Sequence, residues 1–215
     1  MVRKHAISAA LVTTRNAVAA SCESPIYCNS KLLSTIQNSG IFPDSKTFVD
    51  MKMRKTVFET VLNFNALMRA YDDEPSREVL ESFVRDHFES ENELEDWFPP
   101  DFNPEPRFLR KVRDPEIQHF AKRLVWLWPK LGRKFKQEVY KNPERYSLIP
   151  LRNGIIIPGG RFRETYYWDM YWVMNGLLIS EMYQTARGIL DNLISMVKVS
   201  TRRDLLNWTF LISDF

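Results

Sequence analysis

The sequence predicts an all-α domain interrupted by one short β-hairpin. Three observations carry that reading. Apolar residues recur at helical spacing through most of the chain, helix start and stop signals bracket those runs, and a single Asn-Gly pair stands between two apolar runs. The first helix lies in "RKTVFETVLNFNALMRAY", where Val57, Phe58, Val61, Leu62, Phe64, Leu67, Met68 and Tyr71 recur at steps of three and four. Ser76 is a suitable N-cap for a second helix carrying Val79, Leu80, Phe83, Val84 and Phe88. The proline-bearing run "ELEDWFPPDFNPEPRF" has no periodicity and reads as a binding loop or a clasp over other elements. Asp114-Pro115 then starts a third helix, an N-cap followed by proline in the first turn. Its buried side is expected to hold Ile117, Phe120, Ala121, Leu124 and Val125, and Pro129 should stop it near Trp128.

The pattern changes at "SLIPLRNGIIIPGG". Asn153-Gly154 between apolar runs signals the hairpin. Gly159-Gly160 lets the backbone turn sharply into the next helix, which starts near Tyr166 and carries Met170, Val173, Met174, Leu177, Leu178 and Met182. A last helix is expected from about Gln184 to Met196. There is no internal repeat and no low-complexity tract.

Composition sets the outer limits. The 215 residues suffice for one domain or a large piece of one, and 44% apolar residues allow a sizeable core. No uninterrupted apolar run is long enough for a transmembrane helix. The net charge of +3 is too small to imply nucleic acid. Charge is nonetheless uneven: residues 72–105 hold thirteen acidic and two basic side chains, and residues 107–145 hold twelve basic and four acidic. The two stretches read as solvated faces of opposite sign, and their balance argues against a polyanion-binding module.

The first 20 residues have the parts of a short secretory signal: Arg3 and Lys4, then an apolar stretch from Ala6 to Val12, then small residues at Ala17-Val18-Ala19. The expected location is therefore secreted or extracellular, with a cytosolic leader as the alternative. Cys22 and Cys28 are the only cysteines, and both a bridge between them and two free thiols are compatible with their spacing. His5, His87 and His119 stand alone, so no metal site is expected.

The most informative stretch is "PGGRFRETYYWDMYW", Pro158 to Trp172. A sugar offers neighbouring hydroxyls that a guanidinium or carboxylate engages in bidentate fashion, and C–H faces that pack on aromatic rings. Arg161, Phe162, Tyr166, Trp168 and Asp169 supply that set. The same residues also suit a plain core, with Arg161 or Arg163 paired to Glu164 or Asp169 and the aromatics turned inward.

The stretch resembles the first signature of the α,α-trehalases, P-G-G-R-F-x-E-x-Y-x-W-D-x-Y. All ten fixed positions are present: Pro158, Gly159, Gly160, Arg161, Phe162, Glu164, Tyr166, Trp168, Asp169 and Tyr171. "IYCNSKLLSTIQNSGIFPDSKTFVDM", with Asp44-Ser45-Lys46-Thr47-Phe48 at its centre, is similar to the N-terminal segment of that family, and "GLLISEMYQTARGILDN" to the helix pair after the signature. The similarity spans about residues 22–197, so the chain divides into a possible signal peptide (1–20), an N-terminal part of a trehalase-like domain (21–197) and a divergent tail (198–215).

The resemblance implies an (α/α)6 barrel and the inverting hydrolysis of trehalose to two glucose molecules, with no cofactor. It implies that Arg161, Trp168 and Asp169 bind sugar and that Phe162 lines the same subsite. Inversion needs a carboxylic acid for the leaving oxygen and a carboxylate to activate water. The family takes both from later sequence, so the resemblance implies no catalytic residue in this chain. Glu164 and Asp169 are poor substitutes, because five positions along one helix aim side chains in different directions.

Family members are more than twice as long, and their second signature, Q-W-D-x-P-x-x-W-x-P, is absent here. Lys198-Val199-Ser200 is encodable as AAG-GTA-AGT, a splice-donor junction, so the tail is readable as translated intron, which genomic sequence across these codons tests. Asn207-Trp208-Thr209 matches a glycosylation acceptor. A barrel with under half its helices should expose apolar faces and self-associate. Two readings of function therefore stand: a trehalase-type hydrolase acting on trehalose, or a truncated, non-catalytic product that binds sugar or another subunit.

Overall fold

The computed structural model describes residues 24–28, 30–90 and 93–202. The leader, Cys22, His5 and the tail beyond Arg202, with its Asn207 triplet, lie outside the described residues. Ser30 opens α1 (Lys31–Asn38) by accepting from the Leu33 N–H at 3.0 Å. A one-turn helix follows, α2 (Lys46–Val49), and then β1 (Lys52–Met53). Helix α3 (Val57–Ala70) starts with a capping box: Thr56 accepts from the Glu59 N–H, and Glu59 accepts from the Thr56 N–H. Helix α4 (Arg77–His87) runs directly into β2 (Phe88–Glu89), which pairs antiparallel with β1.

These elements close over one core of Ile26, Phe48, Met53, Phe64, Phe83 and Phe88. Phe48 and Phe88 meet edge-on at 4.8 Å. His87 stacks on Phe83 at 4.1 Å, faces the Phe83 carbonyl through Nδ1 at 2.8 Å and meets the Asn63 amide at Nε2 at 2.9 Å. Burial holds its pKa below the ordinary value, so it serves packing.

The second half carries β3 (Leu94–Asp96), a 3-10 turn (Arg107–Lys111), α5 (Pro115–Val125), α6 (Leu127–Leu131), β4 (Gly132–Phe135), α7 (Gln137–Lys141), a further 3-10 turn (Pro143–Arg145), β5 (Ile155–Ile156), α8 (Tyr167–Ile179) and α9 (Tyr183–Arg202). The strands form a small antiparallel sheet in the order β3-β4-β5. Its two faces feed two cores, one around Phe135, Val139, Ile155 and Ile157, the other around Ile156, Met170, Leu177, Met182 and Ile189. Alternation along Ile155-Ile156-Ile157 sends neighbours to opposite sides. The fold is mostly helical, as the sequence predicted.

Several sequence expectations need correction. No hairpin forms at Asn153-Gly154. The strand after it, β5, pairs with β4, and neither residue has the positive φ that a two-residue turn of that type demands. Asn153 is drawn instead to α9, where it donates to the Gly188 carbonyl at 3.1 Å. The proline-rich loop begins as a strand, β3. Pro129 does not stop helical geometry, because it sits in the first turn of α6, where no intrahelical N–H bond is lost. Phe88 falls in β2 and Met182 between α8 and α9, while α9 extends to Arg202.

Burial corrects more. Only Val125 is buried on α5, whereas Ile117 and Phe120 are each 59% exposed. On α3 the buried stripe is Thr60, Phe64 and Met68, and Phe58 faces solvent. Apolar spacing reports a face suited to burial; it does not report whether the covering element belongs to the same chain.

Candidate functional site: the Gly159–Trp172 rim

Ile157 donates to the Leu131 carbonyl at 3.0 Å and delivers the chain to Pro158 at the edge of the sheet. Gly159 (φ 109) and Gly160 (φ 59) then take backbone angles that L side chains rarely adopt. Gly159 and Phe162 exchange hydrogen bonds at 3.3 and 3.1 Å, closing a tight turn with Arg161 at its outer corner. Helix α8 starts just beyond, with Tyr166 at its N-cap and Met170 donating to the Tyr166 carbonyl at 2.9 Å.

The four candidate sugar ligands occupy this run in two groups. On the loop, the Arg161 guanidinium lies 5.2 Å from the Phe162 ring centre, and Phe162 meets Tyr166 edge-on at 5.6 Å. On the first turn of α8, Asp169 is half-buried and Trp168 is 63% exposed. Trp168, Trp172 and Tyr171 continue as a chain of edge-on rings at 6.1 and 5.0 Å. These aromatics are therefore not turned into the core: Tyr167, Trp168, Tyr171 and Trp172 are all exposed. Hollows of about 320 and 200 Å³ lie elsewhere, the first beside Phe42, Met51 and Phe88, the second beside Trp97, Arg152 and Gln184. Neither includes a residue of the Gly159–Trp172 run, which is an open rim.

The rim is tied to the start of the domain. Arg161 Nη1 donates to Asp44 Oδ2 at 2.5 Å, and Lys46 Nζ donates to Glu164 Oε1 at 2.6 Å. Lys46 also holds Asp50 at 2.5 Å. Asp44 accepts the Lys46 N–H through its other oxygen at 3.0 Å. That bond, followed by the Arg161 pair, keeps the Asp44 carboxyl below the ordinary carboxylate range. Burial pulls Lys46 toward the neutral form, but Glu164 and Asp50 outweigh it and hold it charged. Asp50 is shifted upward by burial, with Lys46 opposing and Glu164 adding to the rise, as expected where two carboxylates share one ammonium.

Two further groups respond to this cluster. Burial, then the Glu164 charge, pushes the Tyr166 hydroxyl up to about 12. Glu93 rises to about 7, first through burial and then through the Asp50 and Glu164 charges, with Arg163 opposing. Glu164 precedes α8, so it and Asp169 do not share a helix. Among the described residues there is no group of three or more His, Cys, Asp or Glu placed to hold a metal ion. Cys28 is disulfide-bonded, which excludes the free thiol that its spacing from Cys22 also allowed; Cys22 lies outside the described residues.

A family model described as Trehalase matches residues 40–200. The chain belongs to the trehalase family. It is 49% identical over 178 residues to a trehalase of Tenebrio molitor, an alignment covering 83% of this chain and 32% of that protein. It is 44% identical over 178 residues to a trehalase of Homo sapiens, covering 82% and 30%. A trehalase of Arabidopsis thaliana is 37% identical over 189 residues, covering 81% and 30%. The chain thus spans about a third of the length of the relatives it matches. Within the trehalase match, sequence singled out Arg161, Phe162, Trp168 and Asp169, all on the rim. It gave no part to Asp44, Lys46 and Asp50, although Asp44-Ser45-Lys46 stood at the centre of the N-terminal family segment, nor to Glu93.

Proposed function

We propose that the chain contributes one wall of a glucose subsite in a trehalase-type glycoside hydrolase, which cleaves α,α-trehalose to two glucose molecules with inversion. The observation that carries the reading is the open rim, where the Arg161–Phe162 pair on the loop is followed, on the first turn of α8, by half-buried Asp169 and by Trp168, 63% exposed. Arg161 donates to neighbouring hydroxyls, Asp169 accepts from them, and Phe162 and Trp168 pack on the C–H faces of the ring.

The acid and base of the inverting reaction, about 6.5–9.5 Å apart, come from outside these residues. The carboxylates beside the loop have structural employment: Asp44 holds Arg161, and Asp50 and Glu164 share Lys46. The chain alone is therefore expected to bind sugar without turnover. The mostly helical fold supports an (α/α)6 barrel as the complete scaffold.

A second reading is favoured by the exposed apolar residues on α5, α8 and α9: a non-catalytic product that binds sugar or associates with itself or another subunit. Either product is exported on this proposal, which the Cys28 disulfide supports through the oxidising compartment it requires.

Glucose release from trehalose by the purified chain, beside Asp169→Ala, tests the reading, with calorimetric titration of trehalose in parallel. Binding without turnover, abolished in Asp169→Ala, is the expected result. Turnover that disappears in Asp169→Ala would place a catalytic pair within these 215 residues and overturn the division of labour. Folded protein without any trehalose binding would sink the sugar-binding assignment.

A further inference from the structure

We propose that Asp44 and Lys46 are positioning residues that set Arg161 and its loop for sugar, an inference that rests on the sugar-binding role given to Arg161. The geometry is specific. Asp44 does not meet Arg161 as a free surface carboxylate. Its Oδ1 is fixed by the Lys46 N–H at 3.0 Å, and its backbone carbonyl accepts from Thr47 at 3.0 Å. The opposite oxygen, Oδ2, is thereby aimed at Arg161 Nη1, 2.5 Å away. The residue that fixes Asp44 through its backbone then anchors the same loop through its side chain. Lys46 Nζ holds Glu164 at 2.6 Å and is only 17% exposed.

Two rigid points three residues apart, Arg161 and Glu164, are thus pinned from a single turn, Asp44–Lys46. The turn between Gly159 and Phe162 has glycines in two of its first positions and little stiffness of its own. An isolated exposed ion pair would set nothing, because two long side chains rarely hold one geometry in water. The half-buried Lys46 link supplies the constraint that the exposed Arg161 pair lacks.

The test reads Arg161 directly. Side-chain guanidinium signals of ¹⁵N-arginine in the full 215-residue chain are recorded, with Arg161→Lys identifying the Arg161 set. Wild type is expected to show resolved, slowly rotating Nη signals for Arg161. Asp44→Asn, which keeps an oxygen for the Lys46 N–H, and Lys46→Met should both collapse them, and Asp44→Glu should restore them in part. Trehalose titration followed by tryptophan fluorescence is expected to weaken about tenfold in Asp44→Asn, the effect of losing one charged hydrogen bond, with the melting temperature unchanged. Averaged Arg161 signals in wild type itself overturn the proposal whatever the variants do. So does an Asp44→Asn chain that keeps resolved signals and wild-type trehalose affinity. Resolved signals that collapse in Asp44→Asn, in a wild type that binds no trehalose, uphold the positioning and overturn the sugar assignment instead.

Discussion

Gly154 lies flat against the indole of Trp97, close enough that a Cβ at position 154 would stand 2.3 Å from ring atom Cε3. The contact explains why an Asn-Gly pair that reads as a hairpin turn makes none. The glycine is required for a close approach, with no left-handed backbone at that position, and Asn153 is occupied by α9. Trp97 also donates through its backbone N–H to the Gly132 carbonyl at 3.1 Å, so one residue meets β4 through its main chain and Gly154, just before β5, through its ring.

Gly154→Ala should therefore destabilise the fold by about 1–3 kcal/mol, the usual cost of forcing an extra carbon into a packed interior. Thermal unfolding followed by circular dichroism reads the change directly, and an unchanged midpoint would mean that Trp97 moves aside.

Exposure separates two aromatic substitutions. Phe48 is fully buried, and Phe48→Ala should cost about 3–5 kcal/mol. Trp168→Ala should stay within about 0.5 kcal/mol in stability, as for other exposed positions, while trehalose binding is lost. Equal melting losses in the two variants would place Trp168 in a packed environment.

Glu93 predicts a pH effect. Its folded pKa of about 7 stands above the ordinary 4.5, so between those values the folded chain holds a proton that the unfolded chain has released. The stability tied to that proton is complete below about pH 4.5 and lost as pH rises through about 7. Glu93→Gln should raise the melting temperature relative to wild type at pH 8 and leave it unraised at pH 5.

The Thr56–Glu59 capping box gives a local prediction. Thr56→Ala should cost about 1 kcal/mol, since it removes the acceptor for the Glu59 N–H at the start of α3. Hydrogen exchange at the first turn of α3 should rise with it.

The helices were legible because their signals are local. Ser76 and Asp114-Pro115 stand where α4 and α5 begin, and the double glycine does take positive φ. The rim was legible through its fixed spacing, which brought Arg161, Phe162, Trp168 and Asp169 forward together. Strand pairing was not, because the partner of Ile155-Ile156 lies in Gly132-Arg133, with two short helical elements between them. Burial on α5 was not, because periodicity names a face without its cover. The ties of Arg161 and Glu164 were hidden for the same reason of distance: each candidate had a plausible partner nearby and found one far away.

That distance also has a consequence in time. Lys46 and Glu164 are 118 residues apart in the chain, so the N-terminal half of the link waits on the ribosome until the other half emerges. At the usual elongation of about 5–20 residues per second, the delay is roughly 6–24 seconds. During that interval Lys46 has Asp50 within its own turn as a provisional counter-ion. Lys46 then passes from one carboxylate to two, and the rim is tied down only after Glu164 has emerged.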